Sequence, residues 1–341
     1  MKICQVLSSK GFAGLEKHVL DMCNKLSGYG HDVTLIAEQE YKKYLDENVT
    51  LIPLALGGSR YNPVTLFRLA TIIRQQKPDI VHAQANKATA MLNIIRRYVP
   101  GKLIATLHSL KSNTRMYQHL DHVIAVSQAA AKRVKHTRVS VVYNGIDPVA
   151  FVGNKESLYL SDALGSQRTR PVVVAVGRLV KVKGFDVLID AWRDVDADLV
   201  IAGEGKERLS LENRINDLRL NANIHLPGQC DDVPSLMRAA DLVVISSRRE
   251  GFPYVLIEAL HVKKPVVSTR VPGSLDLLPV DVLVSCENPE ELHKCISNVL
   301  KQPNLLNEAF QPLWEYARQN LTVDAMVRKT EKIYHDVLLG N

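Results

Sequence analysis

Residues 241–262 read DLVVISSRREGFPYVLIEALHV. The opening DLVVIS is an unbroken apolar run of the kind buried on both faces of a parallel sheet, and SRREGF after it is polar. From Tyr254 the apolar residues recur at helical spacing, and Pro253 suits a first helical turn. Strand, loop and helix in that order form the repeating half of a βαβ unit, and the same rhythm extends in both directions. Upstream lie RPVVVAVG, ADLVIAG and NIHLPG, with helices expected at 184–193, 206–219 and 233–239; downstream lie KPVVST and DVLVS, with a helix at 289–301. The first half repeats it with KICQVL, HDVTLIA, VTLIPL, DIVHA, KLIATLH, HVIAVS and VSVVYN, and with helices at 15–26, 64–76, 88–97 and 128–134. Residues 151–170 are polar, lack a period and are read as a linker or a peripheral segment. The expectation is an α/β chain of two doubly wound parallel-sheet domains, 1–150 and 151–321, facing a deep cleft, with ligands at the carboxyl ends of the strands.

Composition narrows the function. At 341 residues and 46% apolar content there is ample material for two packed cores. Five cysteines without a C-x-x-C pair give neither a disulfide framework nor a zinc site, which fits a reducing compartment. The N-terminal MKICQVLSS is too short an apolar stretch for a signal peptide, and no run reaches the roughly 20 apolar residues of a membrane span. A cytoplasmic protein is expected. Residues 1–150 carry 20 Lys+Arg against 10 Asp+Glu, and the remainder 23 against 26, so the net charge of +7 comes from the first half. A basic half fits an anionic substrate or membrane surface; without zinc-finger spacing or RNA-binding aromatic motifs, nucleic acid is not expected.

Within the opening stretch, Glu250 falls in the loop at the ligand face. Glu258 falls one turn beyond Tyr254, its side chain tilted back toward that face. The helix start, from about Phe252 through Pro253 and Tyr254 to Val255, offers unpaired N–H groups that suit a phosphate. Two carboxylates beside a phosphate site make sense when they bind hydroxyls of the same ligand. A sugar nucleotide has both parts: Glu258 would accept from ribose hydroxyls and Glu250 from the sugar.

VVYNGID, VGRLVKVKGFDVLIDA, AGEG, HLPG and EGFPYVLIE (E-x7-E), in this order and spacing, resemble the retaining glycosyltransferases of family 4. The resemblance spans essentially the whole chain and implies the GT-B fold: two Rossmann-like domains, the first on the acceptor side, the second on the donor side. It further implies a C-terminal helix, 322–341, that crosses back to the first domain. Carried over, Arg178 and Lys183 match the cations that hold the donor diphosphate, Glu250 the donor-sugar contact and Glu258 the ribose contact. His108 matches the first-domain histidine near the sugar's 6-position, and Gly14 the glycine-rich loop after the first strand. Glu204 of AGEG is expected to line the cleft, and Asn144 to Asp147 to form the interdomain turn. The chain departs from the family in having Ala13 before Gly14, Ser109 after His108, and Pro272, Gly273, Ser274 and Asp276 in place of a glycine-rich segment followed by glutamate. An unusual donor-sugar specificity is expected from the last.

These residues imply transfer of a sugar from a nucleotide diphosphate, UDP favoured over GDP, to a saccharide or lipid-linked acceptor in lipopolysaccharide or polysaccharide assembly. Arg178, Lys183 and the helix start would stabilise the leaving diphosphate, so neither metal nor cofactor is expected. The overlapping D-x-D of Asp194, Asp196 and Asp198 is read as a solvated turn at the amino end of a strand, away from the ligand face. Alternatives are a sugar-nucleotide 2-epimerase of the same architecture and a non-enzymatic nucleotide-sugar or anionic-lipid binding protein. Arg68, Arg74, Arg96, Arg97, Lys132 and Arg133 on first-domain helices raise the expectation of peripheral contact with an anionic membrane.

Overall fold

The computed structural model describes residues 1–109, 113–148 and 170–340. The linker expected at 151–170 therefore lies almost wholly outside the described residues. Two compact units are present, Met1–Gly145 with Val323–Asn341, and Ile146–Thr322.

In the first unit, β1 (Lys2–Leu7), β2 (Asp32–Ala37), β3 (Thr50–Pro53), β4 (Ile80–Gln84), β5 (Lys102–Leu107), β6 (His122–Ala125) and β7 (Val139–Val141) form one sheet. Its order is β3-β2-β1-β4-β5-β6-β7, and every pairing is parallel. Every residue of β1 after Lys2 is buried, which is why the strand reads as a run and not as an alternation. Helix Gly14–Gly28 packs one face through Val19, Leu20, Met22 and Leu26, while helices Pro63–Gln76 and Ala85–Ile95 pack the other through Leu69, Ile73, Met91 and Leu92.

The helix Val323–Leu338 completes the first of these faces. Val323, Met326, Val327, Thr330, Ile333, Tyr334 and Val337 are its buried residues, at the spacing of a single helical stripe. Polar bonds pin its rim: Tyr29 Oη donates to Asp324 at 2.6 Å, Lys25 pairs with Asp324 at 3.1 Å and His31 meets Glu331 at 2.7 Å.

The second unit holds β8 (Val172–Val176), β9 (Asp198–Ala202), β10 (Ile224–Gly228), β11 (Leu242–Ile245), β12 (Val266–Thr269) and β13 (Leu283–Val284) in the parallel order β10-β9-β8-β11-β12-β13. In each sheet the winding reverses once, between β1 and β4 and between β8 and β11, and a ligand crevice opens at the carboxyl end of such a reversal.

Several boundaries differ from the sequence reading. The helix expected at 88–97 begins at Ala85, with φ of 63°, and gives way to a 3-10 turn at Arg96–Tyr98. The helix expected from 184 begins at Phe185, after a 3-10 turn at Lys181–Lys183 and a left-handed Gly184. Pro253 is the N-cap of helix Tyr254–His261 and not part of its first turn. A helix at Pro272–Leu277 was not expected, nor was the first half of Pro303–Asn320. Two prolines nine residues apart, Pro303 and Pro312, masked the latter: Pro303 fits the first turn, and the helix continues through Pro312 despite the lost hydrogen bond.

Candidate functional site

The second unit's crevice is built by glycines that let backbone approach backbone. After β8 the chain runs Gly177, Arg178, Leu179 and on through the turn Lys181–Lys183 to Gly184. A Cβ on Gly203, which follows β9, would stand 2.0 Å from the Gly177 carbonyl oxygen, and one on Gly205 would stand 2.3 Å from that of Leu179. On the other flank a Cβ on Gly184 would come within 2.2 Å of the Ser246 carbonyl oxygen. The 177–184 loop is thus held between the ends of β9 and β11. Hydrogen bonds fix it there, from Leu179 N to Glu204 O at 2.8 Å and from Arg248 N to Val182 O at 2.9 Å. These glycines of VGR, KG and AGEG serve close packing.

That clamp brings Lys183 to Glu250. Lys183 Nζ lies 2.5 Å from Glu250 Oε1, and Ser247 Oγ donates to the same oxygen at 3.2 Å. About one-fifth of each charged side chain is exposed, so solvent reaches the pair from one side. The loop carrying Glu250 is anchored by Arg248, whose guanidinium donates to both oxygens of Asp186 at 2.8 Å and to Glu287 at 2.9 Å. Burial alone would raise the Asp186 carboxyl; the Arg248 bonds override it and hold it below its ordinary value. Val176, Lys183, Ser247, Pro253 and Val255 line one small cavity at this point.

The neighbouring helix start is set by Gly273. A Cβ there would meet the Phe252 ring at 2.7 Å and Pro253 Cδ at 2.9 Å, so the segment that departs from the family pattern packs directly under the turn entering Tyr254–His261. No side chain caps that helix, and Glu258 is half-buried in its second turn. Arg178 is exposed, with no ion pair or hydrogen bond to its side chain among the described residues. Glu204, half exposed, pairs through its carboxylate with Arg208 at 2.7 Å. Lys183 meets Glu250 and lines one cavity with Pro253 and Val255. Of the D-x-D aspartates, Asp194 and Asp196 are exposed and Asp198, at the first residue of β9, pairs with Arg170.

His108 and Gly14 belong to the first unit. Gly14 is the first residue of its helix, and the left-handed position of the preceding loop is Gly11, at φ of 86°. Glu16 does the organising, accepting from Ala13 N at 2.8 Å and from the Ser9 hydroxyl. His108 follows β5 and contacts Gln84 Oε1 through Nε2 at 2.8 Å. Behind it runs a buried chain that sequence reasoning missed: Gln84 Nε2 to Gln5 Oε1 at 2.9 Å, Gln5 Nε2 to Tyr334 Oη at 3.0 Å, Tyr334 Oη with His82 Nδ1 at 2.6 Å, and His82 Nε2 with Thr106 Oγ1 at 2.7 Å.

Met22 gives this chain its direction. Its Sδ lies 3.6 Å from Gln5 Nε2 and 3.8 Å from Gln84 Nε2; as an acceptor it favours the NH₂ end of both amides facing it. Gln84 then presents its carbonyl oxygen to His108, which carries its proton on Nε2 and leaves Nδ1 as an acceptor. A signal was available in the sequence: Gln5, His82, Gln84 and Thr106 are polar residues inside otherwise apolar strand runs. Burial, reinforced by His18 and His82, holds His108 well below its ordinary value, so it is neutral. Basic helix residues, by contrast, do not converge here. Arg74 and Arg97 line a shallow pocket with Lys77 and Tyr98 before β4 and β5, at the opposite edge of the sheet.

The buried histidines make the first unit sensitive to acid. Burial, with Asn144 acting the other way, takes His18 down to about 4; burial, then His18 and His122, takes His82 down to about 3. Below about pH 6.5 the unfolded chain binds protons that the folded unit refuses. Stability should therefore be level above that pH and fall through it, by up to about 1.4 kcal/mol per pH unit for each histidine. Hydrogen exchange of the β4 amides, corrected for intrinsic rates, checks this. Equal opening free energies at pH 6.5 and 5 would mean these histidines are not neutral in the fold.

Two family profiles match the chain, Glycosyltransferase Family 4 over residues 12–149 and Glycosyl transferases group 1 over 160–318. An uncharacterized glycosyltransferase of Methanocaldococcus jannaschii is 26% identical, with 95% of each chain covered. The O-antigen biosynthesis glycosyltransferase WclY of Escherichia coli is 22% identical, with 99% of each covered. The crystal structure of Anabaena Alr3699/HepE in complex with UDP matches with a TM-score of 0.84 at 22% identity, covering 98% of this chain and 100% of that one. Each profile falls on one parallel-sheet unit, the solved structure carries both, and the chain belongs to the group 1, family 4 glycosyltransferases, with a GT-B-like fold.

Proposed function

We propose that the protein is a retaining, metal-independent glycosyltransferase. It would move a sugar from a UDP-linked donor to an acceptor hydroxyl in the assembly of a cell-surface glycan. The observation that carries this reading is the Lys183–Glu250 pair at the β8/β11 reversal. The two charges satisfy each other. A diphosphate brings more negative charge than one carboxylate and competes for Lys183, which frees Glu250 to accept hydroxyls of the attached sugar.

Chemistry follows from where charge develops. As the anomeric carbon–oxygen bond to the diphosphate breaks, negative charge grows on the leaving group and positive character on the sugar. Lys183, the exposed Arg178 and the first N–H groups of Tyr254–His261 stabilise the former, and the acceptor oxygen bonds to the anomeric carbon on the face the diphosphate leaves. The departing diphosphate takes the acceptor proton, so no protein nucleophile is required. Glu258 is assigned the ribose, and the neutral His108, with Nδ1 bare, accepts from a donor-sugar hydroxyl. UDP is favoured because Alr3699/HepE was crystallised with UDP and with UDP-glucose; cell-surface assembly is favoured by the likeness to WclY. No helix among the described residues is long and apolar enough to cross a membrane.

Thermal melting with UDP, GDP and ADP, each in EDTA and in magnesium, tests the donor reading. UDP at about 100 times its dissociation constant should stabilise by about 2.7 kcal/mol, several degrees, equally in EDTA. A shift only with magnesium would remove the metal-independent mechanism, and no shift with any nucleotide would remove the donor site.

A further inference from the structure

Three cations meet on the first unit where the donor reading makes no use of them. Lys10 lies in the loop after β1, Arg60 in the loop after β3, and Lys87 in the first turn of the helix after β4. All three are at the carboxyl edge of the sheet, around its β1/β4 reversal. The Lys10 stem crosses Gly57 of the β3 loop so closely that a Cβ there would stand 2.6 Å from Lys10 Cε and 3.3 Å from Nζ. Lys87 is half-buried and lies within the fields of both Arg60 and Lys10; burial first, then these two cations, lower its affinity for a proton, while Glu38 acts the other way. Among the described residues none of the three cations makes an ion pair or a hydrogen bond through its side chain.

Mutual repulsion and partial desolvation of Lys87 are both unfavourable, and an anion relieves both at once. In the chain, Phe12 follows Lys10 by two residues and Tyr61 follows Arg60 directly; both rings are exposed, that of Phe12 against Tyr44 at 4.6 Å between centroids, and exposed aromatic rings are surfaces on which a pyranose ring can rest. We infer that Lys10, Arg60 and Lys87 form a subsite for an anionic substituent, a phosphate or a carboxylate, on the acceptor. The acceptor assignment rests on the transferase reading; the anion site itself does not. The pair at Lys183 and Glu250 lies in the other unit, so the two sites can be probed separately.

The test follows the ε-methyl signals of ¹³C-methylated lysines, a modification that keeps the charge, with Lys87 assigned by its absence in Lys87→Arg. Probes are methyl phosphate, glucuronate and neutral glucose, with co-sedimentation on phosphatidylglycerol and phosphatidylcholine vesicles as a parallel arm. The expected result is a saturable shift of Lys87 with the anions and none with glucose, weakened about tenfold or more in Arg60→Gln, the loss of roughly one charge-assisted contact. Arg60 is exposed and unpaired, so this variant should fold, and its UDP melting shift should match the parent's. Binding confined to phosphatidylglycerol vesicles and lost in Arg60→Gln would place the anion on a lipid; binding of the soluble anions would place it on a sugar. No probe bound, or binding unchanged in both Arg60→Gln and Lys10→Gln, overturns the site. A missing UDP shift with anion binding intact would instead overturn the donor reading alone.

Discussion

Lys183→Ala should lower the rate of UDP release from the sugar nucleotide by about 10²–10³-fold in kcat, the size of effect seen when one preorganised charge-stabilising donor is removed. Three features argue that the loss is local. Lys183 sits in a short turn whose backbone is held by Val180 O and by Ser246 Oγ on its carbonyl, and neither contact uses the ammonium. Its partner Glu250 keeps the Ser247 hydroxyl and partial access to solvent, so the orphaned carboxylate is not driven out of its loop. Arg248 continues to tie that loop to Asp186 and Glu287. Glu250→Gln should also slow the reaction, because the amide retains an oxygen for hydroxyls but no longer releases a charge when the diphosphate arrives. Since the two side chains act as a pair before donor binds, the double variant should be well short of additive. Rates, UDP affinity by calorimetry and near-UV dichroism separate lost chemistry from lost fold. Lys183→Ala within threefold of the parent would remove Lys183 from the site.

What the sequence disclosed depended on whether a property is local or shared. Parallel strands buried on both faces leave unbroken apolar runs, so both sheets and nearly every helix were legible from pattern alone. The loop position of Glu250 was legible for the same reason, since it follows a run such as DLVVIS. Its pairing with Lys183 was not: the two are 67 positions apart and meet only because Gly184 lets one loop lie on Ser246. The chain from His108 to Tyr334 was hidden similarly, as its members come from three strands and the C-terminal helix. Gly14 stands at the first residue of its helix, and the left-handed angle in the loop before it belongs to Gly11, a division of labour that the sequence alone does not reveal. Lys10, Arg60 and Lys87 are far apart in the chain, and only the topology sets their three segments at one edge of the sheet.

Gly203→Ala should destabilise the second unit by more than about 4 kcal/mol, beyond the range of ordinary point substitutions. The added methyl would sit 2.0 Å from the Gly177 carbonyl oxygen and 2.9 Å from its carbon, and these are backbone atoms with no rotamer to change. Retreat is blocked on both sides: Gly177 N donates to Ala202 O at 3.0 Å, and Gly203 N to Gly228 O at 2.7 Å, so separating the loops breaks the ends of the β8–β9 and β9–β10 ladders. At φ of 146° the residue is also in a conformation that side chains rarely adopt. Gly228→Ala is the comparison, strained in φ at 92° but facing only the ends of the Glu204 and Arg208 side chains, which can move aside. It should cost about 1–3 kcal/mol. Trp192 and Trp314, the chain's two tryptophans, both lie in the second unit, so their fluorescence in denaturant reports on it directly. Because the Gly177–Gly203 contact also places Arg178 and Lys183, any Gly203→Ala protein that folds should show a much reduced melting shift with UDP. An unchanged denaturation midpoint would mean that the close approach after β8 and β9 does not exist, and the placement of both cations would fall with it.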